Sequence, residues 1–159
     1  MSLTLSQLYY IAGFLDCDGS IIAQIVPRSD YKNLFQIRLT LSFHQKLKRV
    51  HHLKFIAKEL GVNSKLVRDR GDGMAELNIV GWQTVQPLLQ LLKPCLRMKR
   101  RQARLVLRII EQLPLAKHDL HKFLELCVLA DKVGSLNDSK NREHTAITVK
   151  KEYERRGLI

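Results

Sequence analysis

Nine consecutive residues, "QIRLTLSFH" (36–44), alternate strictly between polar and apolar side chains. Every second residue from Ile37 to Phe43 is apolar, and the residues beside them are polar or charged. Because successive side chains of a strand point to opposite faces, this pattern predicts a strand with one buried face and one exposed face. The weaker alternation of residues 20–28 and the turn residues of "PRSDYKN" predict that the two segments form a hairpin.

The rest of the chain has mostly helical periodicity, interrupted by a second hairpin around "RGDG". We expect Ser6 to cap the first helix and Gly19 to end it. The predicted helices cover about 6–18, 45–60, 82–92, 97–112 and 119–133, the hairpins cover about 20–44 and 66–80, and a polar segment continues to about 156. The sequence therefore predicts one α+β domain over residues 1–159, with an antiparallel sheet covered by helices on one face.

The chain is strongly basic, with 27 Lys and Arg residues against 15 Asp and Glu and a formal net charge of +12. This balance predicts a polyanionic partner, with nucleic acid the leading candidate and an acidic membrane surface second. No apolar run approaches the roughly 20 residues of a membrane span, and the N-terminus lacks the basic start of a signal peptide. We therefore expect neither a membrane segment nor secretion, and three widely spaced cysteines favour free thiols in a reducing compartment.

The outward positions of the predicted hairpins carry arginine, amide, hydroxyl and histidine side chains rather than the usual mixture of lysine and glutamate. Arginine suits guanine, amides suit adenine, and a two-stranded ribbon fits the major groove. A polar strand face that only meets water is the simpler interpretation, but the basic composition of the chain favours nucleic-acid recognition. The segment "KPCLRMKRRQARLVLR" (93–108) contains no acidic residue, and its cations suit phosphates.

The predicted first helix ends on two carboxylates in "YYIAGFLDCDGSI" (9–21). Gly13 and Cys17 are four residues apart and share a helix face with Tyr9, so this face can approach a second helix closely. If the second helix belongs to a copy of the same chain, two-fold symmetry places two Asp18 carboxylates side by side. Divalent metal ions would neutralise that pair, and paired metals suit phosphodiester cleavage. Asp16 points elsewhere, and we expect a structural role for it.

The stretch "YIAGFLDCDG" (10–19) resembles the signature of the LAGLIDADG homing endonucleases, in the single-motif class whose members act as homodimers. The likeness extends through "LNDSK" (136–140) and is closest to enzymes encoded in chloroplast introns of green algae. It implies an αββαββα fold with a saddle-shaped DNA-binding sheet. It also implies Mg²⁺-dependent hydrolysis of both strands of a long pseudo-palindromic DNA site, with Mn²⁺ able to substitute for Mg²⁺. Intron homing, an organellar and specifically chloroplast location, and the absence of a small-molecule cofactor follow from the same resemblance.

The resemblance also assigns site residues one by one. Asp18 matches the metal-binding acid, the backbone carbonyl of Cys17 an accessory ligand, and Gln45, Arg49 and Lys99 the residues around the scissile phosphate. The positions on the base-reading hairpins are Gln24, Arg28, Tyr31, Gln36, Arg38, Ser42, His44, Arg68, Arg70, Glu76 and Asn78. Lys140, Asn141 and Arg142 match contacts to the DNA backbone. Tyr9, Gly13 and Cys17 form the expected dimer interface, and Cys17 departs from the Gly or Ala usual in the family.

Two other functions fit the same sequence features. The first is an intron RNA maturase, and the second is a DNA-binding regulator that keeps the scaffold without cleavage. Asp18 together with Lys99 favours the nuclease, because neither alternative requires these residues.

Overall fold

The computed structural model describes residues 3–137 and 142–159. Six helices and four strands follow one another in the order αββαββα, with three more helices at the end. The helices are α1 (Leu5–Asp18), α2 (Val50–Glu59), α3 (Trp82–Leu92), α4 (Arg100–Ala116), α5 (Leu120–Leu136) and α6 (Ala146–Arg155). The strands are β1 (Gly19–Pro27), β2 (Phe35–Lys46), β3 (Val67–Asp69) and β4 (Met74–Val80). The predicted α+β class and element order are confirmed.

The four strands form one antiparallel sheet in the order β1-β2-β4-β3. The long strand β2 pairs with both β1 and β4, which places the two hairpins side by side. Its inward residues from Phe35 to Phe43 are buried, as the alternation predicts. The helices bury this face in one core, so the opposite face of the sheet is left without a helical layer.

Several element boundaries in the structure differ from those predicted from the sequence. Thr4, and not Ser6, caps α1, and its side chain and backbone exchange hydrogen bonds with Gln7. Residues 45–49 are the end of β2 and a short 3-10 turn rather than the start of α2. Helix α4 begins at Arg100 and passes through Pro114, since Ala116 is buried and its carbonyl accepts a hydrogen bond from Asn33.

Helix α5 also runs further than predicted, because Gly134 lies inside it rather than at its end. A Cβ atom at this glycine would lie 2.9 Å from Cδ of Arg142, so the residue marks a close approach of a side chain. Within the described residues, no helix is both long enough and apolar enough to cross a membrane.

The junction between α1 and β1 contains no loop. Gly19 is buried and has extended backbone geometry (φ −119°, ψ 176°), so its backbone conformation does not require glycine. Its surroundings do, since a Cβ atom would lie 2.8 Å from the backbone oxygens of both Leu15 and Ser42. The end of the motif helix is thus fixed directly against the second strand.

We expect Gly19→Ala to lower the free energy of unfolding by at least about 2 kcal/mol, because backbone oxygens cannot move aside as a flexible side chain can. Urea unfolding followed by circular dichroism measures this loss. The neighbouring substitution Ser20→Ala adds no atom and is the control. Equal stability of the two variants would contradict the close packing at this junction.

Candidate active site and nucleic-acid interface

Asp18 ends α1 on the open edge of a depression of about 430 Å³. Its carboxylate is exposed, and it has no hydrogen bond or ion pair with any residue that the structure describes. The depression is lined by Cys17, Asp18, Gly19, Ser20, His44, Gln45, Lys46 and Met74. The acid that the sequence singles out is therefore an exposed carboxylate at the edge of this depression.

Asp16, two residues earlier, is buried and has a different task. Its carboxylate accepts hydrogen bonds from the backbone N–H groups of Arg97 (2.7 Å), Met98 (3.3 Å) and Lys99 (2.9 Å), just before α4. The Lys99 ammonium donates in return to the backbone carbonyl of Asp16. The structural role predicted for Asp16 is borne out, and this contact holds Lys99 beside the end of α1.

Gln45 and Arg49 lie on the other side of the depression. Gln45 is on β2, and its Oε1 accepts a hydrogen bond from Arg49 Nη1 at 3.4 Å. The same oxygen accepts from the backbone N–H of Lys46 at 2.9 Å, which fixes the orientation of the amide. The four residues assigned by resemblance to catalysis thus come from four places in the chain: Asp18 ends α1, Gln45 lies on β2, Arg49 precedes α2, and Lys99 precedes α4.

Oxygen atoms at the end of α1 suit a hard divalent cation, but one chain does not offer a full set of ligands. Asp18 supplies an unpaired carboxylate, and the last carbonyls of a helix, including that of Cys17, lack helical partners. No cluster of three or more His, Cys, Asp or Glu residues that could hold a metal occurs in ranges 3–137 and 142–159. Mg²⁺ is commonly bound by only one or two carboxylates, with water and phosphate oxygens completing its octahedral geometry.

The exposed sheet face carries most of the predicted base-reading residues in short cross-strand rows. Gln24 pairs with Arg38, and Arg68 and His44 lie on either side of Glu76. The sequence predicts a polar face here. In the structure, the apolar residues Ile22 and Val80 also lie on this face, on either side of Thr40. An apolar row of this kind suits the methyl group of thymine.

Ser42 faces the same side but is not open to solvent, contrary to the sequence prediction. Its exposed fraction is 1%, because its hydroxyl donates to Asn78 Oδ1 at 2.5 Å and lies 3.0 Å from His44 Nε2. Burial lowers the pKa of His44, against the opposing charges of Glu76 and Asp18. Among the described residues, the Nδ1 atom of His44 is buried without a partner, and its Nε2 lies against Ser42, whereas the half-buried Asn78 uses only its Oδ1 in this group.

The β1–β2 loop presents Arg28 in a fixed arrangement. Its guanidinium donates two parallel hydrogen bonds to Asp30 (Nε–Oδ1 2.8 Å, Nη2–Oδ2 2.6 Å) and one to Gln36 Oε1 (3.0 Å). The ring of Tyr31 lies against the same group, 4.6 Å from its central carbon. In the second hairpin, Arg70 pairs with Asp72 at 3.0 Å.

Of the three residues predicted to contact the DNA backbone, the structure describes Arg142. Lys140 and Asn141 lie outside the described residues. Arg142 lies before α6, and its guanidinium donates to the backbone carbonyl of Asp131 (2.7 Å) and lies 3.5 Å from the Asp131 carboxylate. These contacts join the segment before α6 to α5, so Arg142 is a partly neutralised cation in this structure.

The face of α1 assigned to dimerisation is open. Tyr9, Gly13 and Cys17 are exposed, and among the described residues no atom outside the adjoining turns of α1 lies within 4 Å of a Cβ built on Gly13. A glycine inside a helix costs about 1 kcal/mol relative to alanine. The packing of the described residues gives no reason for this glycine.

Two supporting residues were missed by sequence analysis. Asn33 is a buried residue of the β1–β2 loop. Its side-chain Nδ2 donates to the backbone carbonyl of Ala116 at 3.0 Å, and its backbone carbonyl accepts a hydrogen bond from the Tyr153 hydroxyl at 2.5 Å. The sequence marks Asn33 only as a turn residue. Asp30 was also missed, although an acid two residues after an arginine in a predicted turn could have indicated the pair.

Comparison with known proteins gives consistent matches over nearly the whole chain. A family model described as LAGLIDADG endonuclease matches residues 11–95. The chain is 46% identical over 143 residues to DNA endonuclease I-CreI of Chlamydomonas reinhardtii, covering 90% of this chain and 86% of the relative. It is 44% identical over 150 residues to DNA endonuclease I-CvuI of Chlorella vulgaris, covering 94% and 91%.

Solved structures agree with these relatives. A complex of homing endonuclease I-CvuI with the I-CreI target, in the presence of 2 mM Mg and with the DNA not cleaved, matches with a TM-score of 0.89 and 42% identity. The match covers 97% of this chain and 96% of that one. The DNA complex of the archaeal intron-encoded enzyme I-Vdi141I has a TM-score of 0.82 at 19% identity, which supports the fold alone.

Substitutions of the two acids at the end of α1 should affect the free energy of unfolding differently. Asp16→Ala leaves three backbone N–H groups without an acceptor, and we expect a loss of about 2–3 kcal/mol in the free energy of unfolding. Asp16→Asn should lie between this variant and the unmodified chain. Asp18→Asn removes an exposed carboxylate without a partner and should leave stability unchanged or slightly higher. Urea titrations in metal-free buffer compare the variants, and equal losses at the two positions would contradict the division of roles.

Proposed function

The chain belongs to the LAGLIDADG endonuclease family, and from that membership we propose that it is a homodimeric, site-specific DNA endonuclease. Each protomer reads one half of a long pseudo-palindromic site with the exposed face of its sheet. The two protomers together hydrolyse one phosphodiester bond in each strand with divalent metal. The proposed endonuclease domain comprises residues 1–159.

One observation carries this proposal, namely the open carboxylate of Asp18 at the end of a helix whose outer face contains Gly13. A helix pair crossing at Gly13 brings the ends of both α1 helices together, and with them two Asp18 carboxylates. Such a pair repels unless cations lie between the two groups. The solved I-CvuI complexes were obtained with 2 mM Mg or 2 mM Ca, which supports divalent metal as the cofactor of the proposed reaction.

The residues around Asp18 have different roles in the proposed reaction. Asp18 and the backbone carbonyl of Cys17 would hold Mg²⁺, which would supply polarisation of the scissile phosphate and a lowered pKa of bound water, and we expect Mn²⁺ to substitute. Gln45 and Arg49, which share a hydrogen bond, orient water and the phosphate oxygens from the side of β2. Lys99 lies beside the end of α1 and stabilises the negative charge that develops in the transition state.

The sheet supplies sequence recognition and the charge of the chain supplies affinity. The rows on the exposed face offer guanidinium, amide, imidazole and carboxylate groups, each of which pairs with a different base edge. The net charge of +12 provides phosphate contacts that do not depend on sequence. Lys140, Asn141 and Arg142 are proposed to contribute to these backbone contacts.

We also propose that the protein is encoded by a mobile intron that it helps to spread, in an organelle and specifically in a chloroplast. The support is the resemblance to chloroplast enzymes and the origin of two relatives in the green algae Chlamydomonas reinhardtii and Chlorella vulgaris.

Cleavage of a DNA library with randomised palindromic half-sites tests the activity. We expect the unmodified protein with Mg²⁺ to cut a small set of related sequences, which are identified by sequencing the new ends. EDTA should abolish cutting. Asp18→Asn should bind the selected sites with similar affinity and reduce the cleavage rate by at least about a thousandfold, since the metal loses its carboxylate ligands.

The outcomes separate the candidate functions. Specific binding without Mg²⁺-dependent cleavage would leave the non-cleaving DNA-binding protein. Selective binding of intron RNA without DNA cleavage would leave the maturase. Cleavage that survives Asp18→Asn would remove the proposed mechanism.

The dimer has its own test at Gly13. A leucine at this position holds the two α1 helices apart, and we expect Gly13→Leu to sediment as a single 18.4 kDa chain in analytical ultracentrifugation. Lys132→Leu adds the same side chain to an exposed position of α5 and serves as the control, which should remain dimeric. If Gly13→Leu is still a dimer, the interface lies elsewhere.

A further inference from the structure

The guanidinium of Arg28 is the most fully constrained cation on the exposed sheet face. Three of its five N–H donors are committed, two to Asp30 and one to Gln36. The hydrogen bonds from Arg28 hold the pKa of Asp30 below its ordinary value, so this carboxylate is ionised at neutral pH. The two donors left over are one N–H on Nη1 and one on Nη2, the terminal nitrogens.

Hydrogen bonds fix the β1–β2 loop, which carries Arg28, at three places. The backbone N–H of Arg28 donates to the carbonyl of Leu34 at 2.8 Å and closes the loop. Asn33 anchors the loop to the end of α4 and to Tyr153 of α6. The Tyr31 ring supports the guanidinium from one side. Arg28 therefore presents its free donors from a fixed backbone and with a fixed plane.

Stability does not explain the acid at this position. Arg28 and Asp30 are both partly exposed, and exposed ion pairs of this kind contribute little to folding. A carboxylate on a DNA-binding face also repels phosphates, so by charge alone Asp30 weakens binding. Its geometry indicates a gain in selectivity instead.

Resting on the proposed endonuclease function, we propose that Asp30 is a positioning residue that makes Arg28 selective for guanine. Guanine offers O6 and N7 as adjacent acceptors in the major groove, and these match a pair of donors on the two terminal nitrogens. Without Asp30, only the Gln36 hydrogen bond and the Tyr31 ring hold the guanidinium of Arg28, so its plane is less constrained and it binds phosphates or other acceptors more readily. Asp30 thus lowers general affinity and raises the preference for one base.

The position of the loop locates that base. Arg28 follows Pro27 at the far end of β1, whereas Gly19 at the near end adjoins Asp18. The nine residues of β1 span about 30 Å at about 3.3 Å per residue. At about 3.4 Å per base pair, the guanine lies roughly nine base pairs from the cleaved bond in each half-site.

The experiment measures the base preference at every half-site position. The homodimeric protein and its variants each cleave the DNA library with randomised palindromic half-sites, and the new ends are sequenced. We expect Arg28→Ala to abolish a guanine preference at one outer position, which identifies the base that Arg28 reads. Asp30→Asn should reduce the preference there by at least about fivefold, while the other positions and the unfolding midpoint stay unchanged. Asp30→Glu retains a carboxylate and should restore part of the preference.

Two further variants test whether Asp30 acts only through Arg28. In the Arg28→Ala background, Asp30→Asn should have no effect at that position, because the residue acts only through Arg28. Asp72→Asn alters the acid of the other hairpin, where Arg70 has a single ion-pair contact, and should leave the Arg28 position unchanged. Affinity of Asp30→Asn for unrelated DNA should be equal or higher.

The results that overturn the inference are distinct from failure of the endonuclease. An intact guanine preference in Asp30→Asn, an unaltered preference in Arg28→Ala, or an effect of Asp30→Asn that persists without Arg28 would each refute the positioning role. A loss of preference at all positions would assign Asp30 to the loop fold instead. If the unmodified protein neither binds nor cuts any library member, the proposed function itself fails.

Discussion

The carboxylate of Asp16 connects the two parts of the chain on which the candidate site depends. It accepts three backbone hydrogen bonds just before α4, and Lys99 returns a fourth to the end of α1. Because Gly19 joins α1 to β1 without a loop, the same contact also fixes the sheet relative to α4. Asp18 is consequently held in place by neighbours while its own side chain remains open, which is the arrangement a metal ligand needs.

The exposed sheet face is rigid for a related reason. Its hairpin loop is tied from below by Asn33 and Tyr153, and its polar side chains bind one another before any ligand arrives. Side chains that are already ordered in this way lose less conformational entropy on binding than side chains that a ligand must order one by one. The helices beneath the sheet therefore help to order this face, although none of their core residues lies on it.

Much of the fold follows from local patterns in the sequence. The alternation of residues 36–44 identifies the central strand, and helical spacing identifies α1 to α5, whereas α6 is marked in the sequence only as part of a polar segment. Two of the boundaries that differ lie at contacts with distant residues: Ala116, beyond Pro114, accepts a hydrogen bond from Asn33, and Gly134 lies against Arg142. Periodicity is local, so it carries no information about these contacts.

The sequence by itself determined the class of partner, the acid-bearing helix and its small-residue face, because charge, spacing and residue size are properties of the chain alone. Only the tertiary structure showed which backbone N–H groups Asp16 binds, and that Ser42 is covered by its neighbours. Asp16 meets residues 81 to 83 positions away, and Tyr153 meets Asn33 across 120. Contacts at such separations form only when the helices and the sheet pack together, so no short stretch of sequence records them.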